Sequence, residues 1–403
     1  MIKIILFILL IAGFACSGPK DNEYETIQLG RLLNQVEELL VKDIGENVNY
    51  IPLETTDESL IGKRAYARVL KDKILVGSFQ QPIKMFDKKT GKFIRIVGSI
   101  GQGANEYTLQ DDIPVFWTDD LQETIYVQTE GINLLCFDVE GNPLSSICLP
   151  DNFPSLTAVS QVTTENKLYI YKQTLFTKED YKIYMYDIYN GQTKKYFFNT
   201  DETLPTDFSQ MPLIISGYGS IPVSTSCHIF SLKEDKMVFF HTENPCLWTF
   251  NREVYFKENF NDTIYQIKGD KINPVLVFDL GNRHCSYEDR FNIEGSQNKI
   301  SIDYILEGKN VLFFVFRTNY YHLQESNTYL GVYNKHDKSV KITNKPYIKD
   351  SANNFIIEPL QTATSDGQLV GLMDAASFIE NMNRENILDL SEEDNPIAVI
   401  VES

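Results

Sequence analysis

Residues 86–107, FDKKTGKFIRIVGSIGQGANEY, hold glycines at 91, 98, 101 and 103, and the role of those glycines decides the fold. Such a cluster either cradles a phosphate or turns a chain. A dinucleotide site needs G-x-G-x-x-G between a strand and a helix, and a P-loop needs Gly-Lys-Ser/Thr. Here the order is Gly98-x-x-Gly101-x-Gly103, Gly91-Lys92 is followed by Phe93, and ANEYTLQDDIPVFW (104–117) reads as extended. No helix N-terminus is expected there to hold an anion. The glycines are instead expected to carry the chain from the outer strand of one sheet to the inner strand of the next, where positive φ and close approach are required.

The stretch has echoes. KDKILVGSF…PIKMFDKKTGKFIRIVG begins at Lys71, LQETIYVQTE…INLLCFDVEGNPLSSICL at Leu121, and ENKLYIYKQ…YKIYMYDIYNGQTKKYFF at Glu165. Each reads as a strand, a loop, a second strand ending in an aromatic-Asp pair, a turn with Gly, and a third strand. The pairs Phe86-Asp87, Phe137-Asp138 and Tyr186-Asp187 recur at intervals of 137 − 86 = 51 and 186 − 137 = 49 residues. A further strand precedes each unit; in the second copy the four fall at 113–118, 124–129, 133–137 and 143–149. Four short antiparallel strands at a period near 50 are the mark of a propeller blade. Asp and Gly between the third and fourth strands suit hairpin chemistry.

Weaker copies start at Arg252 (REVYFKENFNDTIYQIKGDKINPVLVFDLG) and Lys309 (KNVLFFVFRT…TYLGVYNKHDKSVKIT), and DGQLVGLMD with NPIAVIVES makes a sixth. NVNYIPLETT (47–56) is expected to pair with PIAVIVE (396–402) and so close the ring with strands from both chain ends, removing exposed edges. The segment 204–242 fits an extra hairpin or an inter-blade insertion, with a seventh blade left open. QLGRLLNQVEELLVKDI (28–44) and DAASFIENMNRENILDL (374–390) put apolar residues on one helical face and are expected as helices packed on the rim. The expectation is an all-β, six-bladed β-propeller of four-stranded antiparallel blades with short N- and C-terminal helices, forming one domain over residues 25–403.

The phrase FDKKTGKFIRIVGSIGQGANEY resembles the linker of NHL-type propeller repeats, in which G-x-x-G-x-G-x-x-(Phe/Tyr) follows an F-D-x-x-G-K hairpin. With IPLETTDESLIG, NDTIYQI and EEDNPIAVIVES, the chain resembles the six-bladed β-propeller lipoproteins of Bacteroidota. The resemblance implies an envelope lipoprotein that binds a partner, and it brings no catalytic residues with it.

The N-terminus fits that implication. Lys3 precedes an apolar run from Ile4 to Leu10, then Gly13, Phe14, Ala15 and Cys16. The run is too short to span a bilayer, which takes about 20 apolar residues, and reads as a signal peptide over residues 1–15. Cys16 resembles the lipidated cysteine of a bacterial lipobox, and 16–24 then form a lipidated tether. Membrane attachment is expected through this N-terminal lipid only, in the outer membrane and facing either the periplasm or the surface. The net charge of −18 lacks the basic footprint of a nucleic-acid binder. Of the cysteines at 136, 148, 227, 246 and 285, no two form C-x-x-C, and buried free thiols are expected.

No reaction centre is legible. The histidines at 228, 241, 284, 322 and 336 have neither H-x-x-x-H nor H-E-x-x-H spacing, so no metal site is signalled, and no cofactor is expected. No G-x-S-x-G elbow occurs. Asp111 and Asp112, before an inner strand, could face the channel mouth, where two carboxylates would serve a glycan hydrolase or lyase; acids in solvated turns are the plainer reading. Trp117 and the pair Tyr320-Tyr321 could stack on sugars if loop-exposed, although most strand aromatics are expected between blades. The candidate ligand face is therefore Asp111, Asp112, Trp117, Tyr320 and Tyr321. Two functions stand: a non-catalytic envelope propeller that binds a protein, peptide or glycan, and a propeller enzyme acting on glycans.

Overall fold

In the computed structural model the described residues are 24–402, apart from 110–111, 130–132, 152, 154–159, 173–179, 200–212, 219–225, 232–236, 242–246, 259, 287–288, 290–294, 296, 320–326, 354 and 382–389. Six four-stranded antiparallel sheets form a propeller ring. From the innermost strand outward, the first blade is Tyr66–Leu70, Lys73–Ser78, Gln81–Asp87 and Phe93–Val97. The second is Phe116–Asp119, Thr124–Gln128, Asn133–Asp138 and Ile147–Cys148, and the third is Ser160–Thr164, Lys167–Tyr171, Tyr181–Asp187 and Thr193–Phe198. The fourth is Leu247–Phe250, Glu253–Phe256, Thr263–Lys268 and Lys271–Phe278, and the fifth is Ile300–Glu307, Val311–Thr318, Asn327–Asn334 and Val340–Thr343. The sixth takes Thr362–Ala363, Leu369–Met373 and Ile397–Glu402 from the C-terminal end, and Asn47–Pro52 from the N-terminal end as its outer strand.

The closing register runs antiparallel from Asn47↔Glu402 to Pro52↔Ile397, so the ring closes as the sequence predicts. The core is divided among the gaps between blades. Leu70, Ile83 and Val97 meet Phe116, Ile125 and Phe137 between the first and second blades. Trp117, Tyr126 and Leu134 meet Leu168 and Ile170 in the next gap. Equivalent clusters fill the other four gaps. Each sheet is covered on both faces by its neighbours, which is why inner strands such as Lys73–Ser78 and Ile300–Glu307 are buried along their whole length.

The aromatic-Asp repeat has a local cause. The Asp87 carboxylate accepts hydrogen bonds from the backbone N–H of Lys89 (3.2 Å) and Thr90 (2.8 Å). Asp138 accepts from Glu140 and Asn142, and Asp187 from Tyr189 and Asn190. Each acid thus supplies the acceptor that folds its hairpin. Asn334 does the same in the fifth blade, accepting from His336 and Asp337.

The opening glycines are turn and contact residues. Gly91 (φ +71°) and Gly98 (φ +65°) adopt left-handed backbone. A Cβ on Gly91 would lie 1.9 Å from the Pro52 carbonyl oxygen of the closing strand, and one on Gly98 would lie 2.8 Å from both Phe137 and Tyr107. Beyond Gly98, Ser99–Ile100 pairs in parallel with Glu106–Tyr107, and the next regular element is the inner strand of the second blade. Tyr107 is fully buried; its hydroxyl accepts from Ile83 N (2.8 Å) and donates to Val97 O (3.0 Å). The phrase is a crossover pinned by a tyrosine.

One expectation changes, and one left open is decided. The N-terminal segment does not form one helix over 28–44. It forms a strand, Glu25–Ile27, parallel to the outer strand of the fourth blade, a 3-10 turn at Leu29–Asn34, and one short helix at Val41–Ile44. Between the turn and the helix, Glu37 N donates to Ile342 O and Leu39 O accepts from Lys349 N. The backbone that a helix would satisfy internally instead caps the edges of the fourth and fifth blades, as edge protection favours. Leu29 and Leu39, which read as one helical face, enter two different inter-blade clusters. The segment 204–242 contains strands Leu213–Tyr218, Ser226–Ser231 and Met237–His241 in a three-stranded sheet. It is an insertion and not a seventh blade, because the inner strands of the third and fourth blades contact each other directly. The C-terminal helix, Ala375–Asn381, seats Phe378 against Tyr50 and Phe355.

Candidate functional site

A blade turns its hairpins between strands one and two, and three and four, toward one end of the ring. Its other connections lie at the opposite end. At the hairpin end, the second, fourth and sixth blades meet. The Asp120 carboxylate accepts from the Ser365 hydroxyl and, at 3.3 Å, from Ser365 N, while Asn251 N donates to Ser365 O at 2.9 Å. Three alternate blades of a six-membered ring can share one residue only near its axis, so these contacts tie the hairpin-side mouth together. Beside them Asp119 is buried, its Oδ1 accepting from Leu121 N and Gln122 N. Burial pushes its carboxyl above the usual range, against those two backbone bonds.

The loop end is floored by buried charges. Lys182 and Glu258 form a 2.8 Å ion pair between the third and fourth blades, with side chains 8% and 4% exposed, and Tyr171 donates its hydroxyl to the same carboxylate. Lys257 donates to Glu258 O and, across the next gap, to Ile302 O, each at 3.0 Å. Asp303 accepts from Arg317 Nε and from the Ser301 hydroxyl. Where the inner strand carries Asp303 its register shifts, between Ile302 and Tyr304, so a bulge re-aims the acid. Asp262 and His284 form a further pair on this side; burial holds the Asp262 carboxyl above its ordinary value, and His284 and Lys257 pull it back.

The sequence-derived ligand face is only partly placed. Asp112 lies at the loop end with φ +67°. Its carbonyl accepts from Gln80 N (2.7 Å) and its carboxylate from Gln80 Nε2 (3.3 Å), tying the first blade to the entry of the second. Trp117 is not a loop aromatic. It sits on the inner strand of the second blade, 3% exposed, stacked on Tyr126, and its indole N–H donates to Thr163 at 2.8 Å; its ring fills the gap to the third blade. Cys16, Asp111, Tyr320 and Tyr321 lie outside the described residues.

Lys182, Lys257, Glu258, Asp303 and Arg317 escaped the sequence reading. The signal was available: YKIYMYD, VYFKEN, ISIDYILE and FVFRT each set charge within an apolar strand run. Such a charge is costly to bury unless it is paired.

One cavity, of about 140 Å³, opens between the third and fourth blades at the hairpin end, with Glu165, Lys167, Lys194, Arg252 and Glu253 among its walls. It is small beside the ~300–1,000 Å³ usual for ligand pockets. Its two carboxylates lie near lysines, Glu165 at 4.0 Å from Lys167 and Glu253 at 3.5 Å from Lys268. Among the described residues no three His, Cys, Asp or Glu side chains are grouped to hold a metal ion. Of the cysteines, Cys136 and Cys285 are buried and Cys148 is exposed.

Among solved structures, the chain is similar to a candidate exported protein from Bacteroides fragilis, at 16% identity and a TM-score of 0.59, covering 94% of this chain and 98% of that one. BamB from Moraxella catarrhalis matches at 10% identity and TM-score 0.36, over 88% of this chain and 98% of that one. The extracellular domain of a one-component system candidate from B. thetaiotaomicron matches at 11% and 0.34, over 88% and 40%. At these identities the first match shows a shared fold, and the other two are too distant in shape to argue from. No curated protein matches the chain. A family model does match, over residues 24–402, and the chain accordingly belongs to the family described as a domain of unknown function, DUF4934.

Proposed function

We propose that the protein is an exported propeller, anchored in the cell envelope through a lipid on Cys16, that binds a protein, peptide or glycan partner at its loop end without catalysing a reaction. One observation carries the binding reading: the acids at the base of the loop end are held by cations, Glu258 by Lys182 and Asp303 by Arg317. Acids so neutralised shape a rigid platform and are poor general acids or bases, which need a poised proton. The similarity to an exported Bacteroides candidate supports export, as does the leader that the sequence predicts.

The N-terminal segment 25–44, a strap along the rim of the fourth and fifth blades, gives the anchored molecule an orientation. Its first strand, Glu25–Ile27, lies on the outer edge of the fourth blade. A tether from Cys16 to Glu25 spans nine residue steps, at most about 30 Å at ~3.3–3.6 Å per residue. The rim of the fourth blade is then held close to the membrane, with the first blade on the far side of the ring.

The test has two arms. Cys16→Ala should release the protein from the membrane fraction and abolish fatty-acid labelling; retention in the membrane would overturn the anchor. The purified mature chain, incubated with envelope polysaccharides, should retain a subset of them or of envelope proteins on a column without new reducing ends or unsaturated products. Steady turnover of a polysaccharide would overturn the non-catalytic reading.

A further inference from the structure

The cavity between the third and fourth blades has a buried floor and a charged lip. Tyr169, Met185, Tyr196, Val254 and Ile267 line it and belong to the core cluster of that gap. The lip comes from hairpin turns and the strand residues beside them. Each acid there already has a cation: Glu165 lies 4.0 Å from Lys167, and Glu253 lies 3.5 Å from Lys268. Lys194 in turn holds Asp270. Arg252 is left over, exposed and in no ion pair among the described residues. Its backbone, at φ +69° after Asn251 at φ +49°, completes a two-residue hairpin turn whose second place favours glycine. Backbone strain thus accompanies a guanidinium at this lip. Tyr169 is unmatched as well. It is 8% exposed, and its hydroxyl makes no hydrogen bond among the described residues, whereas the Tyr196 hydroxyl donates to Gly269 O at 2.9 Å. A buried hydroxyl without a partner is uncommon, and the cavity is the open space beside this one.

We propose that this cavity binds one ring of a sugar acid, a hexuronate, with its carboxylate on Arg252 and its hydroxyls on Glu165, Glu253 and Tyr169. The size fits: the volume is about 140 Å³, and a cavity of about 150 Å³ admits a six-membered ring. The walls choose the chemistry. A guanidinium matches the two oxygens of a carboxylate. Phosphate or sulfate has no proton to donate to Glu165 and Glu253 and is repelled by both. An amino acid would bring a second cation to acids that already have one. A uronate brings a single anionic group together with neutral hydroxyl donors, and the C–H face of its ring suits the apolar floor. With a net charge of −18 on the chain, nonspecific gathering of anions is disfavoured, so a response to a uronate points to a specific site. The cavity lies at the hairpin end and stands apart from the loop-end platform proposed above.

The test titrates the full mature chain with sodium glucuronate and sodium galacturonate at constant ionic strength, followed by calorimetry. At least one uronate should bind saturably, and glucose, acetate and glycine should each bind at least about tenfold more weakly, the loss of one charge-assisted contact or of the hydroxyl donors. A short oligogalacturonide forms a further arm: tighter binding than the monosaccharide identifies a polysaccharide end as the source, weaker binding the free sugar. Arg252→Gln, at an exposed turn, keeps the fold and should weaken uronate binding by about tenfold to a hundredfold. Arg252→Lys, which keeps the charge and loses the fork, should fall between. Tyr169→Phe should weaken it by about fivefold, as one neutral hydrogen bond does. Thermal unfolding of each variant reports whether it is folded. No saturable binding of either uronate, binding of glucose, acetate or glycine as tight as that of the uronate, or an unchanged affinity in folded Arg252→Gln overturns the proposal.

Discussion

Replacing Tyr107 by Phe removes one oxygen from the crossover between the first two blades and should cost more stability than any single exposed hydroxyl. That oxygen accepts from Ile83 N at 2.8 Å and donates to Val97 O at 3.0 Å. Ile83 and Val97 are themselves opposite one another at the end of the outer ladder of the first blade, and both are fully buried. The phenol therefore completes a strand end that water cannot reach. Phe keeps the ring and its packing, so the loss isolates the two hydrogen bonds. Each buried group left unpaired costs about 1–3 kcal/mol; some closing of the ladder across the gap brings the total to about 2–4 kcal/mol. Guanidinium chloride unfolding should show a lower midpoint at unchanged slope, the sign of lost stability without a change in exposed surface. Amide hydrogen exchange at Ile83 should accelerate beyond that of the strand interior. Tyr189→Phe, at a side chain 90% exposed, is the control and should stay within about 0.5 kcal/mol. If Tyr107→Phe does no more than the control, and Ile83 keeps its protection, the crossover is not pinned by this hydroxyl.

Four other outcomes follow from particular contacts. Gly91→Ala and Gly191→Ala both place a side chain at φ +71°, each costing about 1–2 kcal/mol for the backbone alone, but only Gly91 faces the Pro52 carbonyl while Gly191 faces open space; unfolding titrations should rank Gly91→Ala well below Gly191→Ala, and equal losses would refute the close approach to the closing strand. Burial pushes the Cys136 thiol up to about 12, so a thiol reagent at neutral pH should label exposed Cys148 rapidly and Cys136 only on unfolding, read by mass spectrometry. Burial would raise the Asp350 carboxyl, but hydrogen bonds from Asn353, Tyr50 and backbone N–H groups hold it below the usual range. Its folded value is thus below its unfolded one, the stabilisation is present above the ordinary value near 3.8 and is lost as pH falls through the lowered value, and Asp350→Asn should flatten the acid limb of a stability–pH curve there. Lys182→Met alone should cost about 3–5 kcal/mol by stranding Glu258, while the double change with Glu258→Met should recover most of that loss; additive losses in chemical denaturation would show that the two side chains do not act as a pair.

The blades were legible where the code is local. An Asp that folds its own hairpin must stand at a fixed offset from the turn, so Asp87, Asp138 and Asp187 repeat visibly at 87, 138 and 187. The fifth blade performs the same task with Asn334, and the fourth turns at Gly269 after Lys268 with no acid in the aromatic-Asp place, which is why those copies look weaker. The strap was not legible, because Leu29, Leu32, Leu33, Val36, Leu39 and Leu40 satisfy a helical period as well as they satisfy two separate gaps. Periodicity reports which residues want burial and is silent on whether one surface or two will bury them. What decided the matter was the exposed edges of the fourth and fifth blades, a demand created only after the ring exists.

The site was harder to read for a related reason. Carboxylates in loops and aromatics outside strands are the usual sequence marks of a ligand face, and they point to Asp112 and Trp117. The ring reverses the expectation for Trp117: an aromatic on an innermost strand has a sheet on either side and is consumed as packing. The same geometry makes a charge on such a strand the rarer event. Asp303 and Arg68 both stand on innermost strands, yet only Asp303 has an ion-pair partner among the described residues. In a structure that pairs Lys182, Arg317 and Lys335 with acids, Arg68 Nε and Asp119 Oδ2 are buried polar atoms left without a hydrogen-bond partner among the described residues. Departures of that kind concentrate where a protein meets something other than itself.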